Sequence, residues 1–208
     1  MTIKNRKTLW NSTYFILMIS LLCTISSTNI KAQVLNEENV TTQIMDLVPS
    51  KILVMPDVRE TYAIDPSPLL SSDVWIKLCQ LVKNANLKDK PRTGSIAHYW
   101  GAQCYIKGIV VDKSEFDGII FLKEAAMENS EGASMQLAEF YKKGIHVSKN
   151  VEKAMAYTLL ARKIREYSSV VYRCLFDKTV VLSLSEQQSC LARIDSLEKE
   201  REQLKTKL

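Results

Sequence analysis

The sequence has 208 residues, of which 46% are hydrophobic, and this is enough to build one ordinary domain. Its formal net charge is +5, but residues 1–32 contain four basic residues and no acidic residue, so the rest of the chain has a net charge of +1. A charge this close to zero leaves no basic footprint for nucleic acid, and no nucleic-acid partner is expected.

Residues 1–32 have the three-part layout of a secretory signal peptide. A basic start precedes an apolar run over 13–25, and the small residue Ala32 marks the expected cleavage site. The run is shorter than the about 20 residues that a membrane-spanning helix needs. A periplasmic or secreted protein is therefore expected. An uncleaved anchor and lipidation of Cys23 are the alternatives, and only these would bring the chain to a membrane.

Residues 33–72 are expected to form an irregular, partly ordered lead-in that packs along the folded domain, with a short strand in "SKILVMPDV" as an alternative. Four of the five prolines of the chain lie there and would interrupt any long element. From Asp73 onward the hydrophobic pattern is helical almost to the end of the chain. A helical domain over 73–208 is therefore predicted, and its first helix is expected at about 73–88.

A repeat with a period of 36 residues lies within this helical part. The segments "YIKGIVVDK" at 105–113 and "YKKGIHVSK" at 141–149 have Tyr, Gly, Val and Lys at the same positions. A fixed period of this size predicts a solenoid in which each unit is a pair of helices. The expected units span about 97–130 and 133–166, and residues 167–208 are expected to form a terminal cap.

Each conserved position of the two units has a structural explanation. Small residues let two helices approach closely, tyrosines cover the packed face, and valines hold the connecting turn against the core. Glycines favour the left-handed conformation that ends the first helix. These repeat-structural residues are Ala97, Ala102, Tyr105, Gly108 and Val111 in the first unit, and Ala133, Ala138, Tyr141, Gly144 and Val147 in the second.

Three helix starts are also predicted from polar residues that cap helices. Ser114 and Asn150 stand at equivalent positions and are expected to cap the second helix of each unit. The last helix is expected to begin with a capping box formed by Ser185 and Gln188.

The cysteines outside the signal segment predict two disulfides, because an exported protein can form them. If helices span about 73–88 and 95–107, Cys79 and Cys104 lie at equal height on neighbouring helices. The same holds for Cys174 and Cys190 across a turn expected near 178–184. The predicted bridges are Cys79–Cys104 and Cys174–Cys190. The alternative is that the four residues are free thiols buried in a helical core.

The two units resemble the SLR family (Sel-one-like repeats), which is related to the tetratricopeptide repeats. The first unit departs from the family pattern at Gly101 and Gly118, and the second at Arg162. The resemblance implies an all-α, right-handed α-solenoid of antiparallel helix hairpins that binds proteins or peptides. The matching residues of the second unit are Leu137, Ala138, Tyr141, Gly144, Val147, Lys149, Ala154, Tyr157 and Ala161.

The resemblance also implies where a partner would bind, because the first helix of each related repeat lines a concave groove. Trp100 is the most important candidate, since exposed aromatic residues anchor interfaces. The alternative is that Trp100 packs under the loop at 88–94. The candidate partner-binding residues are His98, Tyr99, Trp100, Gln103, Lys107, Ser134, Gln136, Glu139, Lys142 and Lys143.

No catalytic residue, metal ligand or cofactor is expected. The histidines and cysteines do not form a Cys-x-x-Cys or His-x-x-x-His pair, and His98 and His146 are expected to be solvated. The chain has no G-x-S-x-G motif and no phosphate-binding loop. Paired acidic residues on helices are interpreted as solvated charge.

The expected function is that of an exported bacterial repeat scaffold, monomeric and without enzymatic activity. It would bind a protein or peptide partner in the cell envelope, as an immunity protein or as an adaptor. A cell-wall or β-lactam-active enzyme of the cysteine-rich exported SLR type is one alternative, by analogy alone. A structural or cell-surface protein without a tight ligand is the other.

Overall fold

Helices account for nearly all of the computed structural model, which describes residues 40–48, 70–87, 94–177, 179 and 181–208. These residues contain no β-strand, and the all-α class is confirmed for them. The expected signal peptide and most of the lead-in lie outside the described residues. The helices are α1 (40–47), α2 (Ser72–Ala85), α3 (Ser95–Lys107), α4 (Glu115–Met127), α5 (Glu131–Lys143), α6 (Val151–Val171), a π-helical turn (Tyr172–Phe176) and α7 (Leu184–Lys205).

Helix α1 corrects the prediction that the whole lead-in is irregular. Val40 and Ile44 of α1 and Val48 directly after it recur at intervals of four, which places them on one side of the segment. All three are buried in the hydrophobic core together with residues of α2. The prolines that suggested an irregular segment all lie after this short helix, so they do not interrupt it.

The first helices of the two units, α3 and α5, end in the same way. Gly108 and Gly144 adopt left-handed φ angles of 69° and 75°. The backbone N–H of each glycine donates to the carbonyl oxygen of the residue four positions earlier, Cys104 and Phe140 respectively. The glycine C-caps that the repeat predicts are therefore present in both units.

The turns that follow are also equivalent. The backbone N–H of Ser114 donates to the carbonyl oxygen of Tyr105 over 2.9 Å, and that of Asn150 donates to Tyr141 over 2.8 Å. The side chains of Ser114 and Asn150 then accept the backbone N–H three residues further on, which caps α4 and α6. Both predicted N-caps are confirmed, and each unit is a helix, a glycine turn and a capped helix.

The same correspondence continues in the core. The ring of Tyr105 lies 5.3 Å from that of Phe121, and the ring of Tyr141 lies 5.7 Å from that of Tyr157. Burial raises the pKa of Tyr157 to about 12. The four small residues that the repeat places between helices are all buried, and both turn valines pack against the core. These small residues are Ala97, Ala102, Ala133 and Ala138.

The end of the chain differs in detail from the prediction. Helix α6 continues beyond 166, where the terminal cap was expected to begin, and passes directly into the π-helical turn. The capping box of α7 is formed by Ser183 and Glu186, so the prediction of Ser185 and Gln188 is wrong by two residues. The physical reason is that the carboxylate of Glu186 accepts the backbone N–H of Ser183 over 2.8 Å.

Two disulfides join helices in the pairing that the sequence predicts. Cys79 and Cys104 connect α2 with α3, and their Cα atoms are 5.6 Å apart. Cys174 and Cys190 connect the π-helical turn with α7, and their Cα atoms are 5.9 Å apart. Each bridge closes a short loop and is expected to stabilise the fold by roughly 3 kcal/mol. Such bonds indicate an oxidising environment.

Candidate interaction surface

Five of the polar and aromatic residues assigned to a groove lie inside the protein. The prediction that these five side chains are open to a partner is wrong for the free protein. Three neighbouring helices cover α3. It contacts α2 and α4, and the side chain of its Gln103 hydrogen-bonds to Gln136 on α5. The buried candidates are His98, Trp100, Gln103, Ser134 and Gln136.

Two of them form a reciprocal amide pair between the units. The side-chain Nε2 of Gln103 donates to Oε1 of Gln136 over 2.7 Å, and Nε2 of Gln136 donates back to Oε1 of Gln103 over 3.2 Å. Because a buried amide costs free energy when it lacks a partner, this pairing explains how two polar side chains occupy the interior.

His98 lies in a buried polar cluster, which corrects the expectation of a solvated histidine. Its ring nitrogens lie 2.9 Å (Nδ1) and 3.4 Å (Nε2) from carboxylate oxygens of Glu128 and Glu124. The ring itself is fully buried and stacks on Phe121 at a centroid distance of 5.8 Å. Burial raises the pKa of Glu124 above its ordinary value. The cluster therefore holds titratable groups at the boundary between the core and solvent.

Trp100 packs inside the protein, as the alternative interpretation expected. Its ring lies 5.5 Å from that of Trp75 on α2, in an edge-to-face arrangement. Most of the loop at 88–94, under which it was expected to pack, lies outside the described residues. Trp100 thus belongs to the contact between α2 and α3.

The remaining groove candidates keep some contact with solvent. Tyr99 and Lys107 are half-buried, and Lys142 and Lys143 are exposed. Glu139 binds both of these lysines, at 3.3 Å and 3.2 Å. Although partial burial opposes it, the hydrogen bonds from Lys143 and Lys142 lower the pKa of Glu139. Their role in partner binding stays a prediction.

The largest concentration of exposed apolar side chains lies where the chain turns between α6 and α7. Six large residues there are between 53% and 95% exposed. Apolar side chains that gather in this way on a protein surface commonly mark an interaction site. We refer to these six residues as the apolar turn: Tyr172, Leu175, Phe176, Val181, Leu184 and Leu191.

The Cys174–Cys190 disulfide assembles the apolar turn from two separate segments. The bridge joins Cys174, which directly precedes Leu175 and Phe176, to Cys190, which directly precedes Leu191, and the two Cα atoms are 5.9 Å apart. No described residue between 165 and 196 is buried, so the core does not absorb these side chains. Six apolar groups therefore face solvent around one covalent bridge.

The polar groups beside the apolar turn satisfy each other. The carboxylate of Asp177 accepts hydrogen bonds from the hydroxyl and the backbone N–H of Thr179, which lower its pKa. The carboxylate of Glu186 is likewise held by Ser183. These two carboxylates beside the apolar turn are thus hydrogen-bonded within the chain.

Sequence reasoning missed the apolar turn, although a signal was present. The segments "VVYRCLF" at 170–176 and "VVLSL" at 180–184 flank a turn, where polar residues are the usual choice. The helical pattern suggested that they pack against a partner helix of the same chain. The structure leaves them uncovered, since no described residue between 165 and 196 is buried.

Two other surface features lie outside the apolar turn. Phe116 on α4 and Met155 on α6 are exposed apolar residues away from the disulfide. A groove of about 420 Å³ lies between α1 and α2. It is lined by Gln43, Asp46, Leu47, Lys77, Gln80 and Leu81.

Within the described residues, no group of three or more His, Cys, Asp or Glu side chains is arranged to hold a metal ion. None of the helices in that part of the chain combines the length and apolar character needed to cross a bilayer. No family model, no curated protein and no solved structure matches the chain.

Proposed function

We propose that this chain is an exported scaffold of SLR-type helical repeats that binds a protein partner in the bacterial envelope. The single observation that carries the proposal is the apolar turn, six large side chains exposed together at one disulfide. An adaptor or an immunity protein would act in this way, since neither needs chemistry of its own.

The arrangement of the helices supports a solenoid. The most extensive contacts join helices that follow one another along the chain, as is typical when each unit stacks on its neighbour. The two units also have equivalent glycine caps, turn hydrogen bonds and ring contacts at an interval of 36 residues. We therefore propose that the pairs stack as a right-handed α-solenoid.

Export is supported by two independent features. The segment 1–32 has the layout of a signal peptide, and two disulfides require an oxidising compartment to persist. A periplasmic or secreted location meets both conditions.

The composition of the apolar turn suits a protein partner. It combines aromatic side chains, Tyr172 and Phe176, with four aliphatic ones, and aromatic residues dominate the energy of protein interfaces. The neighbouring carboxylates are bonded to Thr179 and Ser183, so a partner can cover the apolar turn without leaving them unpaired. Burial of these side chains on binding would remove apolar area from water.

The test compares two double variants as baits in an envelope extract of the producing bacterium. Leu175→Ser with Phe176→Ser removes the centre of the apolar turn. Phe116→Ser with Met155→Ser removes as many exposed apolar side chains elsewhere and serves as the matched control. We expect the wild type and the control to capture the same protein and the first variant to lose it. With that protein purified, the affinity should fall at least about 30-fold, the effect of losing a hot spot.

Circular dichroism should give the same helical content for all three proteins, because every substituted side chain is exposed. If the partner binds the Leu175/Phe176 variant as tightly as the wild type, the apolar turn is not the interface. If only the control loses binding, the interface lies on α4 and α6 instead.

A further inference from the structure

The two disulfides differ in their access to solvent. Cys79 and Cys104 are fully buried between α2 and α3. Cys174 and Cys190 are partly exposed. A reagent can attack a disulfide only where it can reach a sulfur atom, so the two bonds differ in the protein motion that their reduction requires.

The exposed bridge encloses most of the apolar turn. Leu175, Phe176, Val181 and Leu184 all lie inside the loop that it closes, which has a sequence separation of 16. No described residue of this loop is buried. The loop therefore depends on the bridge for its shape more than on packing.

Other contacts also hold α6 against α7. Lys163 binds Glu200 at 2.6 Å and Arg193 binds Glu166, and both pairs join α6 to α7. The guanidinium of Arg201 also lies over the ring of Tyr167, 3.8 Å from its centroid. These contacts do not involve the disulfide, so they persist when it is broken.

We propose that the Cys174–Cys190 bridge is a thiol-sensitive clasp that controls the shape of the apolar turn. A dithiol, either a small molecule or the Cys-x-x-Cys site of a redox protein, reduces this bond in the folded protein while Cys79–Cys104 stays oxidised. Reduction loosens the loop and leaves the helical body folded. The effect on partner binding rests on the proposed function, whereas the selective reduction does not.

The chemistry is a thiol–disulfide exchange that balances in two steps. A thiolate of the dithiol attacks one of the two sulfur atoms, the S–S bond breaks, and the other cysteine leaves as a thiolate. The second thiol of the reagent then displaces the first cysteine from the mixed disulfide. The protein gains two electrons and two protons as two thiols, and the reagent becomes a disulfide.

The test treats the native protein with dithiothreitol for increasing times, quenches with N-ethylmaleimide and maps the labelled cysteines by mass spectrometry. We expect labels at Cys174 and Cys190 first, with those at Cys79 and Cys104 slower by at least about 100-fold, because the buried bond requires a larger opening of the fold. Hydrogen exchange of the partly reduced protein should accelerate over the loop and stay unchanged in α3, α4 and α5.

A variant with Cys174→Ser and Cys190→Ser gives the loosened loop without any reductant. It should show the same fast exchange over the loop, and dithiothreitol should not change it further. Equal labelling rates for the two pairs would overturn the proposal, and so would a loop whose exchange does not respond to reduction.

The binding assay separates this proposal from the proposed function. Once a partner is purified, the reduced protein and the Cys174→Ser, Cys190→Ser variant should both bind it less tightly than the oxidised protein. Equal binding by all three would contradict control by the clasp, while the scaffold function would stand. Loss of binding in the Leu175/Phe176 variant alone would support the scaffold without the clasp.

Discussion

The two helical units have the same backbone arrangement but bury different side chains. In the first unit, His98 lies between the carboxylates of Glu124 and Glu128. Thirty-six residues later, the equivalent positions hold Ser134, Leu160 and Ile164, which are also buried. The caps, turns and ring pairs around both sets are alike.

This difference shows that the helix pair does not require a cluster of one histidine and two carboxylates at these positions. A polar cluster at the edge of a core is weak evidence for stability, since less polar side chains of similar volume often do as well or better. At these positions the second unit buries one serine and two aliphatic side chains within the same molecule. The histidine cluster is therefore a property added to the first unit, and each unit serves as a control for the other.

The largest expected effect comes from removing the histidine. His98→Ala leaves a cavity beside two carboxylates that have lost their shared partner, and we expect a loss of about 2–4 kcal/mol in the free energy of unfolding. Ser134→Ala, at the equivalent position, removes a single hydrogen bond to the carbonyl oxygen of Ser130 and should cost about 1 kcal/mol. Denaturant titration of the oxidised proteins measures both.

A transplant sharpens the same comparison. Replacing His98, Glu124 and Glu128 with Ser, Leu and Ile gives the first unit the interior of the second. The stability of this triple variant should lie within about 1 kcal/mol of the wild type or exceed it. A loss as large as that of His98→Ala would show that the two interiors are not interchangeable.

Replacing the glycine caps should lower the free energy of unfolding by different amounts in the two units, and this difference is smaller than the effect of His98→Ala. Alanine in the left-handed conformation costs about 1–2 kcal/mol at either Gly108 or Gly144. A new Cβ at Gly108 would lie 2.9 Å from Cβ of Lys113, whereas one at Gly144 would lie 3.4 Å from that of Lys149. We therefore expect Gly108→Ala to lose about 1 kcal/mol more than Gly144→Ala, and equal losses in denaturant titrations would contradict this.

The closeness of α3 and α4 gives a third, still smaller effect. A Cβ on Gly118 would overlap the side chain of Ile106 and lie 3.1 Å from the carbonyl oxygen of Ala102. Overpacking should outweigh the better helix propensity of alanine, so Gly118→Ala should lose about 1 kcal/mol. Gly132→Ala is the control, because its Cβ would make ordinary contacts with Tyr99, and it should gain up to about 1 kcal/mol.

The smallest effect is the dependence of stability on pH. Burial raises the pKa of Glu124 above 4.5, so the folded protein holds this proton more tightly than the unfolded chain. Its contribution to stability is complete below about pH 4.5 and is lost as the pH rises through the raised pKa. Glu124→Gln cannot ionise, and its stability relative to the wild type should therefore increase between about pH 4 and about pH 7.

Glu166 provides the opposite control. Hydrogen bonds from Arg193 and Lys163 lower its pKa, so its contribution is present above the ordinary pKa and is lost as the pH falls. The stability of Glu166→Gln relative to the wild type should decrease over the same rise in pH. Parallel trends for the two variants would contradict both assignments.

Much of the local structure follows from the sequence because it depends on short-range chemistry. The glycine caps, the N-caps at Ser114 and Asn150, and helix α3 at Ser95–Lys107 match their predictions. The cysteine pairing could be predicted because the expected helix lengths place the two members of each pair at equal height on neighbouring helices. Helix α1 was missed because its eight residues lie in a segment dominated by prolines.

The candidate site was much harder to predict. Histidine and glutamine are surface residues by type, and only a partner about thirty positions away makes their burial favourable: Glu128 for His98, and Gln136 for Gln103. The apolar turn posed the reverse problem. Its leucines and aromatic rings resemble core residues by type, yet they are more than half exposed in the structure.

The amide pair between Gln103 and Gln136 constrains how the two units pack against each other. A helix that slid along its neighbour by a single residue would move 1.5 Å, enough to break both hydrogen bonds at once. Each buried amide left without a hydrogen-bond partner would then cost about 1–3 kcal/mol. Shifted registers of the two helices are therefore less stable than the observed one. Two uncharged side chains thus fix the register in which one unit packs against the next.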